Sequence, residues 1–144
     1  MFKTALSLGL FLISSALMAG SLTIEVFHTD SQRLINVKDA ERLALISRYD
    51  LSRAERIEER LSENLSNDPQ IAAKQAKKIL TQNSQSIMRE FSDAYQGTLK
   101  AHGYELKKLP AIVFNHGESV IYGELNLSKA IKRYQQQHAK SKKK

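Results

Sequence analysis

The sequence predicts an α/β domain in which a small central sheet is interrupted by a long helical segment. Apolar, β-branched runs stand near both ends of the chain, at 22–27 and 111–114, whereas 52–102 has apolar residues at helical spacing. The composition, 42% hydrophobic and 26% charged over 144 residues, is typical of one globular domain. The sequence contains no cysteine, which excludes thiol redox catalysis and cysteine-based metal sites.

The first residues have the pattern of a secretory signal peptide. Lys3 precedes a long uncharged apolar run, and small residues follow it. We therefore expect 1–19 to be removed, with cleavage after Ala19 or Ser21, and 20–137 to form the domain in the periplasm. The alternative is an uncleaved inner-membrane anchor, because a bilayer span needs roughly 20 predominantly apolar residues.

The formal net charge of +7 is concentrated at the end of the chain. We predict a disordered basic tail over 138–144, which contains Lys140, Lys142, Lys143 and Lys144. Such a tail can make weak contacts with acidic proteins, phospholipid head groups or DNA. A DNA-contacting protein that acts through its lysine tail is therefore one open alternative for the function.

The middle of the chain is typical of consecutive helices. We expect a second strand to end near Tyr49, and Ser52 then to begin a helix that its side chain caps. Asp68 and Pro69 fit the N-cap and the first position of the next helix. Four polar, weak helix formers predict a break within 81–84. The predicted core face of the helices that follow comprises Ala72, Ala76, Ile79, Ile87, Phe91, Ala94, Tyr95 and Leu99.

The last third of the chain predicts a β-hairpin and a final helix. Pro110 precedes the apolar run Ala111–Phe114, and a glycine-containing turn leads to a second strand, Ser119–Tyr122. Asn126 then caps a helix whose apolar stripe includes Tyr134. Proline, strand, turn, strand and helix in this order resemble the end of a thioredoxin-type domain. The fold class we expect is therefore a thioredoxin-like α/β sandwich with a helical insertion, lacking the redox cysteines.

The segment from Ala94 to Tyr134 resembles the C-terminal half of a family of exported proteins encoded by integrating conjugative elements. The corresponding motifs are Ala94–Gly97, Pro110–Phe114, Ile121–Gly123 and Asn126–Ile131. The arrangement is also similar to the F-type conjugative pilin-assembly protein TrbC, which is thioredoxin-like. The resemblance implies a non-enzymatic periplasmic component of a conjugative type IV secretion system that assists pilus or mating-channel assembly. Its partner would be a protein of that machinery.

The candidate site comprises Leu109, Pro110, Ala111, Tyr122 and Gly123. In thioredoxin-type domains the equivalent proline exposes backbone groups that pair with an extended substrate. The resemblance thus implies capture of a peptide by strand addition. The alternative is that Pro110 serves only the folding of its turn. We expect no catalytic residue, cofactor, metal or small-molecule substrate.

Two other constellations offer weaker chemistry. His28, Asp30 and Ser31 are close in sequence, but a catalytic triad needs defined geometry and an oxyanion hole, and no nucleophile-elbow pattern surrounds the serine. His116 and Glu118 offer two ligands where a zinc site needs three or four. The remaining alternative from another class is a thiol-dependent redox or chaperone partner in the envelope, which would use the thiols of a second protein.

Overall fold

A computed structural model describes residues 21–141. The predicted signal peptide, 1–19, and Lys142, Lys143 and Lys144 lie outside the described residues. The strands are β1 (Thr23–His28), β2 (Leu45–Asp50), β3 (Ala111–Phe114) and β4 (Ser119–Tyr122). The α-helices are α1 (Val37–Glu41), α2 (Arg53–Ser62), α3 (Pro69–Gln82), α4 (Ser84–Gly103) and α5 (Leu127–Ser141).

The described strands form one four-stranded sheet in the order β2-β1-β3-β4. β1 and β2 are parallel and are connected through α1, whereas β3 is antiparallel to both β1 and β4. This mixed sheet with helices is consistent with the thioredoxin-like α/β fold that the sequence predicts. The helical insertion α2–α4 separates β2 from β3 in the chain.

The alternation of side chains along the strands gives the sheet two different covered faces. On one face Ile24, Val26, Ile112 and Phe114 pack beneath α1 and α5, and the rings of Phe114 and Tyr134 stack with centroids 4.4 Å apart. On the other face the end of α4 covers the apolar cluster of Phe27, Ala111 and Val113. Helices α4 and α5 therefore lie on opposite sides of the sheet.

Two predicted helix boundaries are confirmed. Asp68 caps α3 by accepting hydrogen bonds from the amides of Gln70 (2.8 Å) and Ile71 (3.2 Å). The chain breaks between Gln82 and Ser84, where α3 ends and α4 begins.

The predicted cap at Ser52 is wrong. The Ser52 hydroxyl donates to Asp50 Oδ1 at 2.6 Å and accepts from the amide of Asp30 at 3.1 Å. The oxygen of the hydroxyl also accepts a hydrogen bond from Arg56 Nη1 at 2.7 Å. Two other donors therefore take the oxygen that would cap the helix, and the side chain makes no bond to an amide of α2.

The predicted core face of α4 is also partly wrong. Tyr95 is 45% exposed and Leu99 is 70% exposed, whereas Ala94 and Gly97 are buried. The helix approaches β2 through its small residues: a Cβ atom at Gly97 would lie 2.8 Å from Tyr49 Cβ. The contact face is thus rotated away from the large apolar side chains.

Two helices differ from the prediction: α1 was not predicted, and α5 is longer than predicted. The five-residue helix α1 was not expected, because one turn and a half is too short for a helical period to show. Helix α5 continues to Ser141, so the predicted tail is helical over 138–141 rather than disordered. His138 explains the extension, since its ring lies against that of Tyr134 with centroids 4.0 Å apart and its Nε2 lies 2.8 Å from Glu118 Oε1.

Candidate peptide-binding site

The predicted site residues meet at one end of the sheet. The peptide bond between Leu109 and Pro110 is cis, and β3 begins at the next residue. The carbonyl of Pro110 accepts a hydrogen bond from the amide of Gly123 at 2.9 Å. Ala111 stands opposite Tyr122 in the ladder between β3 and β4. The register of the hairpin therefore brings all five residues together.

Burial separates these residues into two groups. Pro110 and Ala111 are buried, and Ala111 stands opposite Phe27 of β1 in the ladder. Leu109 and Tyr122 are half-buried, and Gly123 is exposed at φ 74°, a left-handed conformation that favours glycine. Pro110 and Ala111 therefore belong to the core of the sheet, and the accessible part of the site is formed by Leu109, Tyr122 and Gly123.

The backbone of Leu109 is unpaired within the part of the chain that the structure describes. The ladder between β1 and β3 ends at the pair Phe27–Ala111, and Leu109 lies beyond it. Neither its amide nor its carbonyl forms a hydrogen bond with another described residue. Strand addition requires free main-chain donors and acceptors of this kind.

A cleft of about 870 Å³ opens beside Leu109. Leu51, Ala101, Leu106 and Leu109 contribute its apolar lining, and His102, Glu105, Lys107 and Lys108 contribute its polar rim. The end of α4 and the segment that follows it form one wall of the cleft. An apolar lining next to unpaired backbone groups suits an extended chain with an apolar side chain.

Tyr122 supports the segment that precedes Pro110. Its hydroxyl accepts a hydrogen bond from the amide of Lys107 at 3.4 Å. The ammonium group of Lys108 lies 5.9 Å from the centroid of its ring, a cation–π distance. Tyr122 thus holds the rim of the cleft from the side of β4.

The loop after β1 does not assemble a Ser-His-Asp arrangement. His28 Nδ1 lies 2.9 Å from the carbonyl of Thr29, and Ser31 Oγ lies 2.9 Å from Thr29 Oγ1. Asp30 instead pairs with Arg56 at 3.2 Å. Each of the three side chains is therefore engaged with a different partner.

An ionic cluster that the sequence analysis missed fixes this loop to α2. Arg56 pairs with both Asp30 and Asp50, and its distance to Asp50 Oδ2 is 2.5 Å. Partial burial alone would raise the pKa of Asp50, but the hydrogen bonds from Arg56 and Ser52 outweigh it and hold the pKa below its ordinary value. The cluster flanks Leu51, which lines the cleft. Its sequence signal is weak, because Asp, Ser and Arg at this spacing are common on surfaces.

A second missed cluster joins β1 to the end of α4. Glu25 is only 6% exposed, and its carboxylate lies 2.5 Å from Lys100 Nζ and accepts a hydrogen bond from the hydroxyl of Tyr104. Burial would raise the pKa of Glu25, but these bonds and the positive charge of Lys100 lower it overall. This pairing fixes the part of α4 that forms the cleft wall.

Metal-binding geometry is not found among residues 21–141, where no group of three or more histidine, aspartate or glutamate side chains is close enough to hold an ion. His116 Nδ1 lies 3.9 Å from Glu25 Oε2, while Glu118 bonds to Asn115, Tyr134 and His138. None of the helices in the same range is long and apolar enough to cross a bilayer.

A model of a protein family matches residues 22–140 of this chain. The chain belongs to the family described as a protein of unknown function, DUF1525. The match runs from β1 almost to the end of α5 and includes the whole site around Leu109. No curated protein and no solved structure matches the chain. The family description assigns no activity.

Proposed function

We propose that this protein is an exported, non-enzymatic component of a conjugative type IV secretion system that holds an extended segment of a partner protein. The observation that carries this proposal is the unpaired backbone of Leu109 beside an apolar cleft. The conjugative setting is supported by the motifs at Ala94–Gly97 and Pro110–Phe114, which resemble those of exported proteins from integrating conjugative elements.

The partner segment would add to the sheet end as a short strand. Its main chain would bond to the amide and carbonyl of Leu109, and an alternate side chain would enter the cleft over Leu51 and Leu106. Lys107 at the rim would favour an acidic residue next to the apolar one. No step of this binding requires a thiol, which accounts for a thioredoxin-like frame without cysteine.

The clusters around the cleft make its shape rigid before the partner arrives. Glu25 and Lys100 fix the end of α4, and Arg56 fixes the loop after β1. Rigid walls reduce the conformational entropy that binding must remove, which raises affinity without new contacts. The ionic clusters thus act on binding through position rather than through contact with the partner.

The setting is tested by conjugative transfer from a donor strain that lacks this gene. The donor is complemented either with the full-length protein or with a version that lacks residues 2–19. We expect transfer to collapse without the gene and only the full-length protein to restore it. Unchanged transfer in the deletion strain would contradict the conjugative role.

The site is tested in the same strain by Leu109→Asp, which places a charge in the apolar cleft. Leu99→Asp is the matched control, since Leu99 is 70% exposed on α4 and does not line the cleft. We expect the control to restore transfer and Leu109→Asp to fail, with both proteins folded by circular dichroism. Restoration by both variants would show that the cleft is not the working surface.

A further inference from the structure

The exposed face of α5 carries a stripe of positive charge. Between residues 127 and 144 the chain has no acidic residue, and the cations on the helix are Lys129, Lys132, Arg133 and Lys140. At 100° per residue they occupy one side of the helix. Lys129 Nζ lies 3.1 Å from Glu124, whereas Lys132, Arg133 and Lys140 have no carboxylate partner among the described residues. Three further lysines follow the helix.

The surroundings of this stripe make it part of a broad surface rather than a protruding ridge. The opposite side of α5 is buried on the sheet through Leu127, Ile131 and Tyr134. α1 lies beside it, where the Ser128 hydroxyl donates to the carbonyl of Asn36 at 3.4 Å. A helix that reads a duplex must enter the major groove, which is about 12 Å wide. A helix flanked in this way instead suits a planar array of phosphates.

The stripe is purely polar. Gln135 and Gln136, which lie between Arg133 and Lys140 in the chain, are exposed. None of the large apolar side chains that are exposed in the described chain belongs to α5. Contact with a bilayer would therefore be electrostatic and would not insert side chains into the acyl region.

We propose that the exposed face of α5 binds the surface of a bilayer that contains anionic phospholipids. Because α4 and the cleft lie on the opposite face of the sheet, a protein bound in this way presents the cleft away from the membrane. The proposal depends on the charge distribution alone and stands independently of the function of the cleft.

The test is co-sedimentation of the chain from residue 20, which retains every described residue, with lipid vesicles. One vesicle preparation is phosphatidylcholine with about one third phosphatidylglycerol, and the other is phosphatidylcholine alone. Each cation near an anionic surface contributes about 1 kcal/mol, so Lys132→Ala with Arg133→Ala should weaken binding roughly 30-fold. The matched control is Lys74→Ala with Lys77→Ala, which removes the same charge from the exposed, acid-free face of α3.

We expect binding to the anionic vesicles only, loss of that binding in about 0.5 M salt, and little change in the α3 control. Equal weakening by the two double variants would show that only net charge matters and would overturn the assignment to α5. Absence of binding to the anionic vesicles would overturn the proposal outright. Tighter binding to a duplex oligonucleotide at the same phosphate concentration would identify nucleic acid as the partner instead.

Discussion

The sheet with α5 and the helical layer formed by α2, α3 and α4 are built in contrasting ways. All four residues of β3 are buried, and β1 is buried from Ile24 to Phe27. In contrast, α3 has no buried residue and α2 has one, Ile57. Four large apolar side chains of the layer are at least half exposed: Ile71, Leu80, Met88 and Leu99. The structure is therefore determined mainly by the sheet, and the helical layer is attached at a few points.

The helical layer contacts the sheet at a few residues and has an apolar groove between its helices. Gly97 is so close to Tyr49 and Leu51 that a Cβ atom would lie within 3.0 Å of each, and Lys100 pairs with Glu25 of β1. Between its three helices the layer has an apolar groove of about 270 Å³, lined in part by Leu80. Regions with few buried contacts open locally at low free energy. We therefore expect the layer to respond to substitutions more weakly, and more locally, than the sheet does.

The largest expected difference in the free energy of unfolding is between a Phe→Ala substitution in the sheet and one in the helical layer. Phe114→Ala removes a fully buried ring that stacks on Tyr134, and it should lower the free energy of unfolding by about 3–5 kcal/mol. Phe91→Ala in the helical layer removes a half-buried ring and should cost roughly 1–2 kcal/mol. Urea unfolding followed by circular dichroism measures both. Equal losses would contradict the contrast between the regions.

The next effect concerns the link between the regions. Glu25→Gln leaves Lys100 without its carboxylate partner and should cost about 1–3 kcal/mol at pH 7. Because the folded protein holds the pKa of Glu25 below its ordinary value of 4.5, the ionised carboxylate stabilises the fold above about that pH. This contribution is lost as the pH falls through the lowered pKa.

The variant should therefore show a smaller loss of stability on acidification than the parent protein. Unfolding measured at several pH values between 7 and 3 checks this. Glu59→Gln is the control, since Glu59 is exposed and its side chain forms no ion pair among the described residues. An identical pH dependence in the parent protein and Glu25→Gln would rule out the proposed role of the pairing.

A smaller effect is expected where α4 touches β2. Gly97→Ala places a methyl group 2.8 Å from Tyr49 Cβ, and overpacking of about 1–3 kcal/mol exceeds the gain of about 1 kcal/mol in helix propensity. The net loss should be about 1 kcal/mol. Gly103→Ala, which meets no atom within 4 Å, should leave stability unchanged or raise it. A Gly97→Ala protein as stable as Gly103→Ala would show that the close contact is not required.

The last effect, of similar size, should remain within α3. Asp68→Ala removes the cap of this helix and should cost about 1 kcal/mol. Hydrogen exchange should speed up for the amides of α3, while those of β1 and β3 keep their protection. Asn67→Ala, at the exposed neighbouring position, serves as the control. Faster exchange throughout the sheet would mean that the layer and the sheet unfold as one unit.

Local patterns predicted much of the fold, because they act between residues that are near in sequence. The strands of the hairpin, the cap at Asp68 and the break before Ser84 all follow from such patterns. The sequence did not predict that Gly97 lies in the contact face of α4. The periodicity of apolar residues identifies large side chains, whereas this close contact is possible because glycine has no side chain.

Sequence patterns could not predict contacts between residues that are far apart in the chain. Glu25 bonds to Lys100 and Tyr104, 75 and 79 residues away. The binding role of the five candidate residues stays a prediction, and the unpaired backbone of Leu109 depends on where the ladder between β1 and β3 ends. Pairing between distant strands decides such an end, and no single segment encodes it.

The central claim, that the partner binds at Leu109, is tested most directly by site-specific photo-cross-linking in donor cells. A photoreactive phenylalanine derivative replaces Leu109 in one strain and Leu80, in the groove of the helical layer, in another. We predict a cross-link from position 109 to a protein of the secretion machinery, and none from position 80. Cross-links only from position 80, or from neither position, would contradict the account.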